Sequence, residues 1–263
     1  MSRAPLVFIS HGAPSVALEE DDFTRDVRRF GESLDGVPAM VVVSAHWQSR
    51  GVRVNAVARP GPIYDFGGFS PELYELRYGA PGDPVLAAEV ARLTGAELET
   101  ERGWDHGLWV PLMHLRPQAD IPIVELALPY NADLSALGRA LAPLRERGVV
   151  IVGSGGIVHN LRMIHFEGKD VPVDAWAREF DSYIAAALAR RDDAAVAEYR
   201  SRAPHASLAV PTPEHFEPLL VLLGAASPAD RAEVIHEGFH YGNLSMRSFA
   251  LRSSASTSAL PVG

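Results

Sequence analysis

The sequence predicts an α/β fold in which helices flank both faces of a central mixed β-sheet. Continuously apolar runs at residues 5–10, 40–45 and 149–153 are typical of strands buried on both faces of a sheet. Segments with amphipathic helical periodicity lie between these runs and after them. The chain of 263 residues shows no internal repeat and no linker, so we expect a single domain over residues 1–252 and a disordered tail over 253–263.

The other elements follow in order from local patterns. Helical periodicity predicts helices at 21–33, 83–93, 134–147, 174–191 and 194–200, one or two turns at 110–115, and a helix from Thr212 or Pro213 to Leu223. Strand patterns predict an exposed or edge strand at 52–57 and further strands at 74–78, 97–101, 121–127, 233–236 and 244–251. The Gly- and Pro-rich stretch 58–71 predicts a long irregular loop, and loops of this length are usually functional or mobile.

Composition excludes several classes of protein. Apolar residues make up 47% and charged residues 22% of the chain, which is ordinary for a globular protein with a substantial core. A net charge of -9, without a cluster of Lys and Arg, argues against binding to nucleic acid or to a membrane surface. The absence of cysteine excludes disulfides, thiolate ligands and a cysteine nucleophile. The short first apolar run and the lack of an apolar segment of about 18 residues predict a cytoplasmic protein.

Three of the histidines follow buried strands. His11, His46 and His159 stand at or just past the carboxyl ends of the apolar runs, the edge at which ligands bind in open α/β sheets. Neighbouring parallel strands would set His11 and His46 side by side. Imidazole is a common ligand of Zn, Fe and Cu, and a chain without thiols has to build a metal site from histidines and carboxylates. A single histidine at the end of a strand is more often structural. The hypothesis of a metal site therefore rests on His11 and His46 together.

Other histidines leave two interpretations open. His159 lies in a glycine-bearing loop and is either an acid/base group or a structural histidine bonded to backbone. His106 follows Asp105 and lines a pocket, or is a buried histidine hydrogen-bonded to that aspartate. Either side chain of the pair Glu214-His215 is a candidate third metal ligand, and an exposed helix start is the alternative.

Ser154 is a weaker candidate for a hydrolytic nucleophile. The surrounding Val152-Gly-Ser-Gly-Gly does not have the spacing of the Gly-x-Ser-x-Gly elbow. The chain also contains no Gly-x-Gly-x-x-Gly, no phosphate-binding Gly-Lys-Ser loop and no His-Glu-x-x-His. The usual nucleotide-binding and zincin functions are therefore excluded.

Six short segments together resemble the class III extradiol ring-cleavage dioxygenases, and most closely their single-chain branch related to DOPA 4,5-dioxygenase. They occur in the family's order over almost the whole chain and are Ser10-His-Gly-Ala-Pro-Ser, Val43-Ser-Ala-His-Trp, Trp104-Asp-His-Gly-Leu-Trp with Pro111-Leu-Met, Gly153-Ser-Gly-Gly-Ile-Val-His-Asn-Leu, Pro213-Glu-His-Phe-Glu-Pro-Leu and Tyr241-Gly-Asn-Leu-Ser-Met. One departure is visible, because Val210 stands where the family often reads His-Pro. This departure concerns the polarity of the pocket and not the metal ligands.

The resemblance implies a role for each matched histidine. It implies that His11, His46 and His215 bind the metal, with Glu214 as the alternative third ligand because other branches use a glutamate. His159 matches the family's acid/base histidine. The implied protein is an oxidoreductase, a non-haem dioxygenase of aromatic compound catabolism, that opens a catechol ring with O2 and requires Fe(II), although Zn is also accepted by three imidazoles.

The resemblance further implies that His106 is a second pocket histidine near the substrate. Aromatic candidates for the pocket wall are Tyr64, Phe66, Trp104 and Trp109. The expected partners are a small catechol, DOPA-like or otherwise substituted, and O2, with no nucleic acid and no membrane, for a monomer or a small homo-oligomer.

Two rival functions remain compatible with the sequence. A three-histidine zinc site with an activated water is competent for hydrolysis, so a zinc-dependent hydrolase is one alternative. A non-catalytic relative that keeps the fold as a binding module is the other. Such a relative would be expected to lose ligands, and this chain keeps all the matched histidines.

Overall fold

An eight-stranded mixed β-sheet forms the centre of the protein, in a computed structural model that describes residues 3–253. Apart from Ser253, the predicted tail lies outside the described residues. The strands are β1 (Leu6–Ser10), β2 (Met40–Ser49), β3 (Arg53–Asn55), β4 (Glu97–Glu99), β5 (Ile123–Pro129), β6 (Val150–Gly155), β7 (Asp230–His236), β8 (Phe239–His240), β9 (Leu244–Ser245) and β10 (Ser248–Ser253). The sheet order is β4-β3-β5-β2-β6-β1-β10-β7, and β8 pairs with β9 separately.

Helices cover both faces of this sheet, which confirms the predicted fold class. They are α1 (Asp22–Glu32), α2 (Pro84–Thr94), α3 (His106–Leu115), α4 (Leu134–Arg145), α5 (Ala175–Arg190), α6 (Asp193–Ala197), α7 (Tyr199–Arg202), α8 (Ala206–Ala209) and α9 (Glu217–Ala225). Short 3-10 helices lie at Pro14–Leu18, Pro71–Tyr74 and Leu161–Met163. None of the helices in residues 3–253 is long and apolar enough to cross a membrane.

Two hydrophobic clusters, one on each face, explain the continuous apolar runs. Along β1 the side chains of Leu6 and Phe8 join the cluster that contains α4, α5 and α9, whereas Val7 and Ile9 join the cluster that contains α1 and α3. Because successive strand residues point to opposite faces, a strand covered by helices on both sides is apolar at every position. At roughly 25 cal/mol per Å² of buried apolar area, these two clusters are the main stabilising contribution.

The strands that position the site are the central ones β5, β2, β6 and β1, which all run parallel. Their carboxyl ends therefore share one edge of the sheet. The predicted adjacency of the first two histidine-bearing strands is wrong, because β6 lies between β1 and β2. A histidine of β1 and one of β2 can meet only above the end of β6, where Ser154 and Gly155 are located.

Several helix starts and ends follow from capping side chains. The carboxylate of Asp21 accepts from the N–H of Thr24 at α1, and that of Asp83 accepts from Val85 and Leu86 at α2. Gly95 ends α2 in the left-handed conformation, with φ 73°. A side-chain acceptor at the N-terminus of a helix satisfies a backbone N–H that has no partner within the helix, which contributes about 1 kcal/mol.

Other predicted boundaries differ from the structure. Helix α3 begins at His106 instead of 110, because Asp105 caps it. The helix predicted from Thr212 or Pro213 begins at Glu217, since residues 213–216 form a turn in which the Phe216 N–H donates to the Pro213 carbonyl.

The strand predictions were less accurate than those for the helices. Residues 75–78 form no strand and follow a 3-10 helix, so the strand predicted at 74–78 is wrong. Strand β3 is one place in from the edge, which β4 occupies. The closing strand predicted at 244–251 is divided into β9 and β10, and the helix predicted at 194–200 into α6 and α7.

Arg145 at the end of α4 is expected to be a major stabilising residue. Its guanidinium lies 2.7 Å from a carboxylate oxygen of Asp230 and donates to the carbonyls of Ala4 and Ala225, and both charged side chains are almost completely buried. Arg145→Ala would leave the Asp230 carboxylate buried without its partner, so we expect the free energy of unfolding to fall by about 3–5 kcal/mol in urea titrations. Arg139→Ala, on the exposed side of α4, is the matched control and should cost less than about 1 kcal/mol. Equal effects of the two variants would contradict this role.

Candidate metal centre

Five histidines meet at the carboxyl edge of the four central strands. The ring centroids of His11 and His46 are 4.9 Å apart, and that of His215 lies 5.2 and 5.1 Å from them. His106 approaches His46 to 3.9 Å, and His159 stacks on His215 at 3.4 Å with an interplanar angle of 8°. All five histidines selected from the sequence therefore come together.

The fold delivers these histidines from separate elements. His11 follows β1 directly, and Gly12, with φ 64°, turns the chain away from the edge. His46 lies within β2, in the stretch between Val43 and Gln48 where the pairing of that strand with β5 shifts register. His215 precedes α9, and its carbonyl accepts from the N–H of Gly156 at 2.8 Å. A Cβ on Gly155 would stand 2.1 Å from that carbonyl oxygen, so the close approach of the His215 turn to β6 requires glycine there.

The tautomer of His11 is set by a chain of hydrogen bonds that begins in α3. Pro111 has no N–H, so the carbonyl of Gly107 lacks its usual intrahelical donor. The Ser154 hydroxyl donates to that carbonyl, and the Nδ1 atom of His11 lies 3.0 Å from the same hydroxyl oxygen. Because the hydroxyl hydrogen is already used, Ser154 accepts from Nδ1–H of His11, and Nε2 of His11 keeps its lone pair. Ser154 is thus bound on both sides and is placed as a support of His11.

The Nε2 atoms of His11 and His46 face each other at 3.2 Å. Two nitrogens bound to one ion at about 2.1 Å, at right or tetrahedral angles, are separated by roughly 3.0–3.4 Å. On its other side, the Nδ1 atom of His46 lies 3.4 Å from a carboxylate oxygen of Asp65. The separation of the two Nε2 atoms therefore fits two ligands of a single ion.

His215 presents a buried nitrogen that protein groups do not satisfy. Its Nδ1 atom lies 3.1 Å from Oε1 of Glu214, which also accepts from the hydroxyl of Thr212 at 2.7 Å. Its Nε2 atom is buried and has no hydrogen-bond partner among residues 3–253. A buried polar atom without a partner costs about 1–3 kcal/mol, which a metal ion at this position would relieve. The residues present therefore fit a metal ion, with Glu214 orienting His215.

His106 is held by a different carboxylate from the one considered in the sequence. Its backbone N–H donates to Oδ1 of Asp65 at 3.0 Å, and its Nδ1 atom lies 2.9 Å from the same oxygen, in a close contact without hydrogen-bond geometry. Asp105 instead accepts from Ser44 and Arg102 and caps α3. One imidazole nitrogen from each of His11, His46 and His106 lies within 4.8 Å of the others, so His106 competes with His215 for the third ligand position on distance alone.

The electrostatics of the cluster favour neutral imidazoles. Burial, followed by the nearby histidines, holds the pKa of His11 and of His215 well below the usual value. Burial also lowers the pKa of His46 to about 4, with His106 contributing, and that of His159 to about 4, with His46 contributing. Neutral rings at pH 7 have lone pairs available for a metal ion or for a proton.

The aromatic residues proposed for the pocket wall occupy different depths. Phe66 packs edge-on against His106, with ring centroids 5.5 Å apart, and Tyr64 lies behind it, 6.1 Å from Phe66. Trp104 and Trp109 are fully buried, and their indole N–H groups donate to backbone carbonyls. Phe66 is thus the aromatic side chain of this set that contacts the histidine cluster directly.

Four polar residues near the cluster were missed at the level of sequence. Gln48 and Tyr130 line a cavity of about 370 Å³ at the mouth of the site, together with His46 and His215. Asp65 lies in the loop 58–71, and Glu125 lies in β5. Burial, followed by the neighbouring Asp105, raises the pKa of Glu125 well above its usual value. None of these four side chains belongs to a recognisable local motif.

Ser154→Ala is expected to weaken metal binding without unfolding the protein. The variant removes the oxygen that accepts from Nδ1–H of His11, and losses of such supporting bonds typically cost 10–100-fold in metal affinity. Competition with a chelator for Zn²⁺ measures the effect. Ser49→Ala, whose hydroxyl donates to a carbonyl at the exposed end of β2, is the matched control and should bind Zn²⁺ like the unmodified protein. An affinity of Ser154→Ala within twofold of that control would exclude the supporting role.

Comparisons with known proteins agree with the resemblance drawn from the motifs. A family model described as "Catalytic LigB subunit of aromatic ring-opening dioxygenase" matches residues 5–251. A 4,5-DOPA dioxygenase extradiol of Escherichia coli K12 is 39% identical over 94% of both chains. Another protein of that name, from Beta vulgaris, is 39% identical over 94% of this chain and 96% of its own. Dioxygenase tasH of Hapsidospora irregularis is 35% identical over 88% of this chain and 81% of its own.

A solved structure gives the same result for the fold. The crystal structure of an uncharacterized protein from Escherichia coli K12 superposes with a TM-score of 0.79 at 35% identity, and the match covers 94% of this chain and 99% of the other. The family model extends over nearly all of the described elements, and the positions of the five histidines lie within it. The chain therefore belongs to the LigB family of aromatic ring-opening dioxygenases, the class III extradiol enzymes.

Proposed function

We propose that this enzyme opens the ring of a DOPA-like catechol, next to its two hydroxyl groups, with O2 and an Fe(II) ion held by His11, His46 and His215. The observation that carries this proposal is the set of imidazole nitrogens without other partners: two Nε2 atoms 3.2 Å apart and the buried Nε2 of His215. The relatives named 4,5-DOPA dioxygenase extradiol support a DOPA-like substrate.

His215 is preferred over His106 as the third ligand for a physical reason. Each of the three proposed ligands has an oxygen at its Nδ1 atom, from Ser154, Asp65 or Glu214, at 3.0, 3.4 and 3.1 Å. Such outer partners fix the tautomer in which Nε2 is free to bind a metal. His106 shares the oxygens of Asp65 with His46, so it is better placed to face the substrate.

The metal identity follows from the reaction class. When bound, Fe(II) would supply Lewis acidity toward the catechol hydroxyls and the redox chemistry that O2 requires. The ligand set does not select iron by itself, because three neutral imidazoles and an open face also suit Zn²⁺. We therefore expect the purified protein to bind either ion and to open the ring only with iron.

The residues of the chain move the protons. His159, neutral at pH 7 and held flat against His215, accepts the proton of a catechol hydroxyl and returns it later in the reaction. His106, held by Asp65, provides a nitrogen for a hydrogen bond to the second hydroxyl. Phe66 covers His106 and limits the access of water on that side.

Anaerobic reconstitution tests the proposed function. Metal-free protein is loaded with Fe(II), mixed with DOPA or another substituted catechol, and then exposed to air while O2 consumption and visible absorbance are recorded. A yellow product that forms with stoichiometric O2 uptake is expected for Fe(II), and none for Zn²⁺. Hydrolysis of an ester by the Zn²⁺ form, without O2 uptake by the Fe(II) form, would instead establish the zinc-dependent hydrolase.

A further inference from the structure

Asp65 reaches the histidine cluster from the long loop at 58–71. The loop is fixed on both sides of this residue. The N–H of Ile63 donates to the carbonyl of Trp104 at 2.6 Å, and the hydroxyl of Tyr64 donates to the carbonyl of Leu76 at 2.8 Å. Phe66 packs against the His106 ring. Asp65 is therefore held in place by its neighbours, and its carboxylate is aimed inward with a quarter of the side chain exposed.

Both oxygens of this carboxylate face histidines. Oδ2 lies 3.4 Å from Nδ1 of His46. Oδ1 lies 2.9 Å from Nδ1 of His106 and accepts the backbone N–H of His106 at 3.0 Å. His46 comes from β2 and His106 from α3, so one side chain on a third segment connects two separate elements.

Neither contact has the geometry of a ring N–H hydrogen bond, but the carboxylate charge beside each Nδ1 atom favours one tautomer of each ring. A carboxylate accepts hydrogen bonds and cannot donate them, so a neutral ring whose Nδ1 faces Asp65 is stabilised with its hydrogen on Nδ1. The lone pair of each ring is then on Nε2. For His46 that atom faces Nε2 of His11 at 3.2 Å, and the two lone pairs repel each other unless a metal ion lies between them. The orientation that a metal ligand requires is thus the one that Asp65 favours.

We propose that Asp65 is a positioning residue that holds His46 and His106 as one unit, directing Nε2 of His46 to the metal ion and Nε2 of His106 to the substrate. This inference rests on the metal site proposed above. It assigns a function to the loop 58–71, because the loop completes the site by supplying a shared carboxylate. Removal of this carboxylate should therefore weaken metal binding and, separately, slow the reaction of the fully loaded enzyme.

Nitrogen NMR of the metal-free protein provides a readout independent of activity. In uniformly ¹⁵N-labelled protein at pH 7.5, long-range ¹H–¹⁵N correlation spectra distinguish the two neutral tautomers of each histidine. We expect the hydrogen on Nδ1 of His106, and a change toward the Nε2–H form in Asp65→Asn. His46 does not serve as the readout, because without a metal ion its Nε2 lies at hydrogen-bonding distance, 3.2 Å, from Nε2 of His11. Finding Nε2–H at His106 of the unmodified protein would overturn the inference, whatever the metal content.

Metal affinity and turnover provide the second readout. In chelator competition, Asp65→Asn should bind Zn²⁺ 10–100-fold more weakly than the unmodified protein. At saturating Fe(II), its kcat should remain lowered because His106 is no longer fixed. Asp22→Asn, a matched change of a carboxylate that is 86% exposed, should alter neither value. Zn²⁺ affinity of Asp65→Asn within twofold of the control, with unchanged tautomers, would show that Asp65 only stabilises the loop.

Two further results separate this inference from the proposed function. Asp65→Glu keeps the charge and should retain more of the Zn²⁺ affinity than Asp65→Asn; the reverse order would contradict a role for the carboxylate. If the unmodified protein binds Zn²⁺ and Asp65→Asn binds it equally well, only the inference fails. If the unmodified protein binds neither Zn²⁺ nor Fe(II), the proposed metal site fails and the role of Asp65 fails with it.

Discussion

His46→Ala is expected to abolish metal binding and, with it, ring opening. His46 supplies one of the two Nε2 atoms that face each other at 3.2 Å, and Ala45 and Gln48 beside it carry no imidazole or carboxylate that could replace it. Loss of a direct ligand should exceed the 10–100-fold loss in affinity typical of a supporting residue. Elemental analysis after dialysis against dilute metal measures the result.

Two comparisons make this prediction specific. His205→Ala, at an exposed histidine paired with Glu179, is the matched control and should keep a full complement of metal. His215→Ala should lose metal as His46→Ala does, whereas His106→Ala should retain metal and lose turnover. If His215→Ala kept its metal and His106→Ala lost it, the third ligand would be His106, which forms a close group with His11 and His46.

The strand-end histidines were predictable from sequence because each is tied to a strong local signal. A strand such as β1, buried on both faces, reads as a continuous apolar run, and the residue that follows it must emerge at the edge of the sheet. That argument located His11 and His159 without knowledge of the strand order. It predicted the wrong neighbours for β1, because nothing local specifies that β6 is inserted between β1 and β2.

The supporting residues could not be predicted in this way. Asp65 is 41 positions from His106 in the sequence and stands in an irregular loop without periodicity. The bond from Ser154 to the Gly107 carbonyl depends on Pro111, which sequence patterns treat only as an interruption of a helix. Both residues act through contacts between distant segments, so their roles become visible only when the fold brings those segments together.

His159→Ala is expected to keep the metal ion and to lose at least about 10² in turnover with a catechol substrate. The side chain stacks on His215 without a hydrogen-bonding contact to His11 or His46, so its removal leaves the proposed ligands in place. A positioned acid/base group typically contributes 10²–10⁴ in rate. Because burial lowers the pKa of His159 to about 4, the ring is neutral and keeps a free lone pair throughout the neutral pH range.

Turnover has to be measured per bound iron to isolate the proton-transfer step. His165→Ala, at a half-exposed histidine paired with Asp174, is the matched control for the loss of an imidazole near the same segment, and it should retain near-normal turnover. In His159→Ala, kcat should fall while the Fe(II) content and the chelator-measured affinity stay within about twofold of the control. Turnover within threefold of the control at full iron loading would move the acid/base role away from His159, and His106, with its Nδ1 atom held by Asp65, is the histidine to which it would pass.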